Sequence, residues 1–164
     1  MASVDLERFR HAQEAGHATF ATALREIRAG SKRSHWIWYV FPQLEGLGTS
    51  DYARTYAIHD MAEAIAYLDD AVLSERLMTI TRSVSDQLRK GVDLETLMGS
   101  HIDAIKLVSS LTLFAEAADT STDSSGRTSH RDFAAVAREV LTMAAAQGFP
   151  PCQRTLNRLR TRGA

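Results

Sequence analysis

Several groups of side chains in this sequence have the types and spacing to do chemistry. Glu14-Ala15-Gly16-His17 sets a carboxylate and an imidazole three residues apart, the spacing that puts two ligands on one face of a di-iron helix bundle. Such a centre needs a second copy. The residues three places before His35, His59, His101 and His130 are Lys32, Tyr56, Met98 and Arg127, so no copy exists and no metal is expected. Cys152 is alone, which excludes an internal disulfide and a cysteine zinc site. At a helix start its thiol is subject to the helix dipole, but no base lies beside it in sequence. Ser109-Ser110 lacks a nucleophile-elbow context and reads as a close helix contact. Gly46-Leu47-Gly48 ahead of a helix resembles the start of a dinucleotide fingerprint. Position 51, however, is Asp rather than Gly, and no strand–helix–strand unit surrounds it. What remains is either an ordinary capped turn or a helix N-terminus offering N–H groups to an anion.

The densest mixture of cationic and aromatic groups is Lys32-Arg33-Ser34-His35-Trp36-Ile37-Trp38-Tyr39. Aromatic faces with positive charge suit base stacking and phosphate neutralisation, and equally suit a core edged by snorkelling cations. Asp103 and Lys106 lie three residues apart and share a face of the helix expected from His101. His35 and Asp103 are the candidates for acid–base work. Lys32, Trp36, Trp38, Gln43, Ser50, Lys106 and Ser109 are the candidates for ligand contact. Lys32, His35, Asp103 and Lys106 are expected to lie close together, either lining a pocket or locking two helices as a buried polar network.

These groups must be carried by helices. Residues 5–29 read as one amphipathic helix, with Leu6, Phe9, Gln13, Gly16, Phe20, Leu24 and Ile27 on one stripe and Gly30 as its stop. His35–Phe41 suits a buried helix better than a strand, because no second strand follows, and Pro42 ends it. Ser50 is placed to cap a helix towards Ile58. Further helices are expected over Met61–Leu68, Val72–Arg89, His101–Ala118, Asp132–Gln147 and Cys152–Arg160. Thr120–Ser129, almost wholly polar, is expected to be a mobile loop, and residues 160–164 a frayed end. The expected fold class is all-α: one compact domain over residues 1–164, a bundle of about six to eight helices.

Bulk properties narrow the partners. Twenty acidic and 19 basic residues leave a net charge of −1, which argues against a dedicated nucleic-acid binder. Only Lys32, Lys90 and Lys106 are lysines. No apolar run approaches the ~20 residues needed to span a bilayer, and the N-terminus lacks the order of a signal peptide, so a cytoplasmic protein without membrane partners is expected. A monomer or homodimer without cofactor is expected.

His35-Trp36-Ile37-Trp38-Tyr39-Val40-Phe41-Pro42-Gln43-Leu44-x-Gly46-Leu47-Gly48-x-Ser50 resembles the signature of the bacterial family numbered 1810 among domains of unknown function, often labelled calpastatin. The likeness begins at Asp5-Leu6, Phe9 and Ala12-Gln13. It continues through Tyr56-Ala57-Ile58, Glu63-Ala64, Arg76-Leu77 and Asp103-x-x-Lys106-Leu107-x-Ser109-Ser110-x-Thr112-Leu113-Phe114, and ends at Thr155-Leu156. It implies a compact all-helical fold and no established activity. Asp70-Ala71 stands where the family tends to have His-Pro, Ser74 where it tends to have Gly, and His101 where it tends to have Pro. Cys152 stands where an aspartate is expected. The function expected from the residues is binding of, or catalysis on, a small anionic aromatic metabolite of nucleotide type, in a site built from the Lys32–Ser50 and Asp103–Ser110 segments. The alternative is a protein-interaction module with a structural polar network, rimmed by Arg154, Arg158, Arg160 and Arg162. Nucleic-acid binding through that C-terminus is the least favoured use.

Overall fold

The computed structural model describes residues 4–125 and 128–162, and among them the fold is all-α. Ten helices follow in order: α1 (Glu7–Ala15), α2 (Phe20–Arg28), α3 (Ile37–Val40), α4 (Asp51–Thr55), α5 (Met61–Asp69), α6 (Ala71–Arg89), α7 (Leu94–Met98), α8 (His101–Ser125), α9 (Thr128–Ala146) and α10 (Gln153–Arg162). The count exceeds the expected six to eight because the single helix expected over 5–29 is two helices and because α7, a single turn, is too short to leave a periodic signal. A lone parallel bridge joins Leu44 to Ile58.

The helix expected over 5–29 is two helices. At Gly16 the backbone turns extended, and a Cβ there would meet the Ala12 carbonyl oxygen at 2.4 Å. Thr19 then caps α2 by accepting from Thr22 N–H at 3.2 Å. The apolar stripe continues across the break, which is why the sequence reads as one element.

α8 is the hub. Ala104, Leu107, Val108, Leu111, Leu113, Phe114, Ala115, Ala117 and Ala118 bury most of its circumference against α5, α7, α9, α10 and α3. α6 presents the stripe Leu73, Leu77, Ile80, Val84 and Leu88, while Val72 stays outside. Asp70 caps α6 by accepting from Val72 and Leu73 N–H and also binds Arg10 at 3.0 Å, a sufficient use for this departure from the family pattern.

The stretch expected as a mobile loop, 120–129, is helical where it is described. α8 runs on to Ser125 and α9 starts at Thr128, with Gly126 and Arg127 outside the described residues. Ser121 is 5% exposed, and its Oγ lies 2.6 Å from Nδ1 of buried His130, whose Nε2 sits 3.1 Å from Asp69 and 3.2 Å from the Leu68 carbonyl oxygen. A long preformed helix extends cheaply, one hydrogen bond per residue, and this polar contact favours continuing it over polar local composition. The frayed end expected from residue 160 is likewise helical through Arg162, and residues 163–164 lie outside the described set. Among the described residues no helix is long and apolar enough to cross a membrane.

Candidate functional site

The segment from Ser31 to Phe41 is held by one carboxylate. Glu26 on α2 accepts from the N–H groups of Arg33 (2.8 Å) and Ser34 (2.9 Å), from Ser34 Oγ (2.6 Å) and from Trp36 Nε1 (2.9 Å). Burial pushes its pKa up, but this set of donors outweighs it and holds the carboxyl at about 2. Lys32 is fixed beside it: its N–H donates to the Leu97 carbonyl oxygen at 2.8 Å, and its Nζ donates to the Ser34 carbonyl oxygen at 2.6 Å. That Nζ also reaches Asp103 Oδ2 at 2.7 Å and lies 4.9 Å from the centre of the Trp36 ring. Gly99, in the left-handed region at φ +80°, lets the chain pass there, since a Cβ would lie 2.8 Å from the Lys32 carbonyl oxygen.

Lys32 and Asp103 are thus brought together, with side chains only 5% and 18% exposed, and they join the α2–α3 connection to the first turn of α8. Burial corrects some of the expected ligand contacts. Trp36 is fully enclosed, so it has no free face for a base, and its indole is spent on Glu26. Ser109 is 1% exposed and faces Thr155, Oγ to Oγ1 at 3.3 Å. Ser50 accepts from Ala53 N–H at 3.1 Å as the cap of α4. The Gln43 carbonyl oxygen accepts from Ile58 N–H at 2.9 Å.

The other candidates face a different space. His35 and Trp38 line an open cleft of about 600 Å³, together with His11, His17, Tyr39, Tyr52 and Tyr56. Its wall is rigid. Buried Gln13 donates to the Tyr39 carbonyl oxygen at 2.7 Å and to Tyr67 Oη at 3.2 Å, while Arg76 donates to Gln13 Oε1 at 3.2 Å. The Tyr39 hydroxyl donates to the Ala18 carbonyl oxygen, tying the break after α1 to α3. Trp38 stacks on Tyr52 with ring centres 5.0 Å apart and planes at 24°, and Tyr52 on Tyr56 at 6.4 Å and 10°. Lys106, one turn beyond Asp103, sets its Nζ 5.1 Å from the centre of the Trp38 ring. No Asp or Glu among the described residues lines the cleft. Among the described residues, no three His, Cys, Asp or Glu side chains are arranged to hold a metal.

The sequence points to no cleft role for His11, His17, Tyr52 or Tyr56: His17 is read there only as half of a Glu-x-x-His pair and Tyr56 only within the family resemblance. Tyr52 and Tyr56 carry a readable signal, an aromatic pair four residues apart after a capping serine. His11 and His17 carry none, because six residues on a continuous helix would put them about 120° apart. Only the break at Gly16 brings both to the cleft.

Cys152 precedes α10. Burial pushes its thiol up, but hydrogen bonds from the Thr155 side chain and N–H, with help from Ser109 and the Arg154 N–H, bring it below the ordinary value. The sulfur therefore occupies the position of an N-cap acceptor, one that a carboxylate fills better. Cys152→Asp is expected to raise stability by about 0.5–1.5 kcal/mol at neutral pH. Chemical denaturation checks this; a loss of stability would show that the pocket rejects the charge.

The chain belongs to the family of proteins of unknown function DUF1810, whose model matches residues 3–141. It is also similar to a solved structure, that of the conserved hypothetical protein Rv1873 from Mycobacterium tuberculosis. The two share 35% identity at a TM-score of 0.75, over 96% of this chain and 97% of that one. No protein with a curated description matches.

Proposed function

We propose that the protein binds a small aromatic anion of nucleotide type in the cleft between α1, α3 and α4. The observation that carries this is the cleft's lining: three imidazoles and four aromatic rings, with no carboxylate among the described residues, and the Lys106 ammonium against the Trp38 ring. Its volume lies within the usual range of small-molecule sites. A flat ring finds faces and edges to pack on, and an anionic group finds donors and one ammonium with no carboxylate partner among the described residues. Asp103 is paired with Lys32 and is not among the residues that line the cleft with His35. His35 is therefore read as a group that orients and hydrogen-bonds the ligand.

Adenosine 5′-monophosphate serves as the probe in isothermal titration calorimetry. Lys106→Met and His35→Ala are each expected to weaken its binding about tenfold or more, about 1.4 kcal/mol, with melting nearly unchanged, because His35 is exposed in the cleft lining and Lys106 is a half-buried side chain against the ring of Trp38, which lines it. Binding equal in the wild type and both variants would exclude the cleft. The interaction-module alternative draws on Ile102 and Ile105, 64% and 47% exposed at the start of α8. It gains if every ribonucleoside monophosphate fails to bind.

A further inference from the structure

Outside the cleft, the turn after Leu44 carries two arginines from the far end of the chain. Gly46 has φ +91°, and a Cβ there would lie 2.5 Å from Nη2, 2.6 Å from Cζ and 2.7 Å from Nη1 of Arg158. A side chain here would be strained at this φ and would push aside the guanidinium, which lies against the glycine. Arg154, four residues earlier on the same face of α10, donates from Nη2 to the Gly46 carbonyl oxygen at 3.4 Å. Thr155, fully buried between the two, and Leu159, packed on the core, fix the helix that carries them.

Arg158 is half-buried, yet its guanidinium donates to no acceptor among the described residues, and the same holds for the N–H groups of Gly46 and Gly48. A guanidinium held by one face keeps its in-plane N–H fork directed away from that face. This is the geometry that takes two oxygens of a phosphate or carboxylate. Glu45, the neighbouring acid, has its Oε1 3.5 Å from His59 Nδ1.

We infer that Arg158 and Arg154, on the Gly46–Gly48 turn, form a second site, one that binds a phosphate group. The inference does not rest on the cleft as a nucleotide site, although the same turn leads through the cap Ser50 to Tyr52 of the cleft wall. The phosphate could be free inorganic phosphate or the phosphate of a larger ester, and two titrations distinguish them.

The full chain is titrated with inorganic phosphate at constant ionic strength, following the amide resonances of Gly46 and Gly48. Saturable shifts are expected at both. Arg158→Gln is expected to lower the affinity at least tenfold. Arg158→Lys should restore little, because it keeps the charge and loses the fork. Gly46→Ala should act like Arg158→Gln, since its Cβ displaces the guanidinium without removing it. The same titration with adenosine 5′-monophosphate on His35→Ala separates the two sites: phosphate binding should be unchanged there even if nucleotide binding is lost. Tighter binding of the ester than of phosphate assigns the site to an ester; equal binding assigns it to the free ion. No saturable shift up to about 10 mM phosphate, or affinity unchanged in both Arg158→Gln and Gly46→Ala, would overturn the inference.

Discussion

Replacing Asp103 with alanine is expected to cost about 3–4 kcal/mol and to lower the melting temperature by roughly 6–12 °C. The effect is large because the ammonium left behind has nowhere to go. Lys32 is 5% exposed, its main-chain N–H is bound to Leu97, and its side chain is threaded past Trp36 to Ser34. Asp103 is equally committed, standing on the first turn of α8, so Lys32→Ala should cost a similar amount by stranding a carboxylate. The double variant Lys32→Met with Asp103→Leu should recover most of the loss, because removing both charges also removes the cost of desolvating them. Thermal unfolding of the three variants decides the matter. A fall below about 2 °C in Asp103→Ala would mean that the pair is screened like a surface contact and holds nothing.

Glu26→Ala is the second large effect, expected at about 2–3 kcal/mol near neutral pH. It deprives two backbone N–H groups, the Ser34 hydroxyl and the indole N–H of fully enclosed Trp36 of their acceptor. The indole has no route to water, so its desolvation is uncompensated. The same carboxylate gives the protein a pH dependence whose sign is fixed. Folding lowers its pKa from 4.5 to about 2, so the native state binds fewer protons than the unfolded chain. The stabilisation is complete above about pH 5 and is lost as the pH falls towards 2. Solvent reaches this half-buried group, which reduces the contribution to about 1–2 kcal/mol. Unfolding curves for wild type and Glu26→Gln between pH 6 and pH 2.5 should converge on acidification. Parallel curves would show that the carboxylate is not held in its charged form.

Much of the scaffold was legible because it obeys helical period. The stripe Leu73, Leu77, Ile80, Val84 and Leu88 fixes α6 within a residue, and the cap Ser50 behaves as its chemistry requires. The pairing of Lys32 with Asp103, 71 positions apart, was legible as opposite charges on two well-anchored elements. Glu26 was not. An acidic residue on an amphipathic helix is usually a solvated face, and only the return of the chain after Gly30 turns it into a receptor for four donors. Trp36 and Trp38 show the limit of reading types without geometry: the same residue two positions apart is core in one case and cleft wall in the other. Polar composition did not reveal the helix over 120–125, where Ser121 on α8 meets His130 on α9, nine positions further on.

The difference between the two tryptophans also supplies the most direct test of the proposed site. Trp36 is sealed in the core, so a ligand in the cleft can perturb indole emission only through Trp38. Titration of the wild type with adenosine 5′-monophosphate should quench fluorescence saturably. The quenching should vanish in Trp38→Phe, which keeps a ring against Tyr52, and should need at least about tenfold more ligand in Lys106→Met. A folded wild type whose emission stays unchanged with each ribonucleoside monophosphate up to about 10 mM would contradict a nucleotide-type site in this cleft.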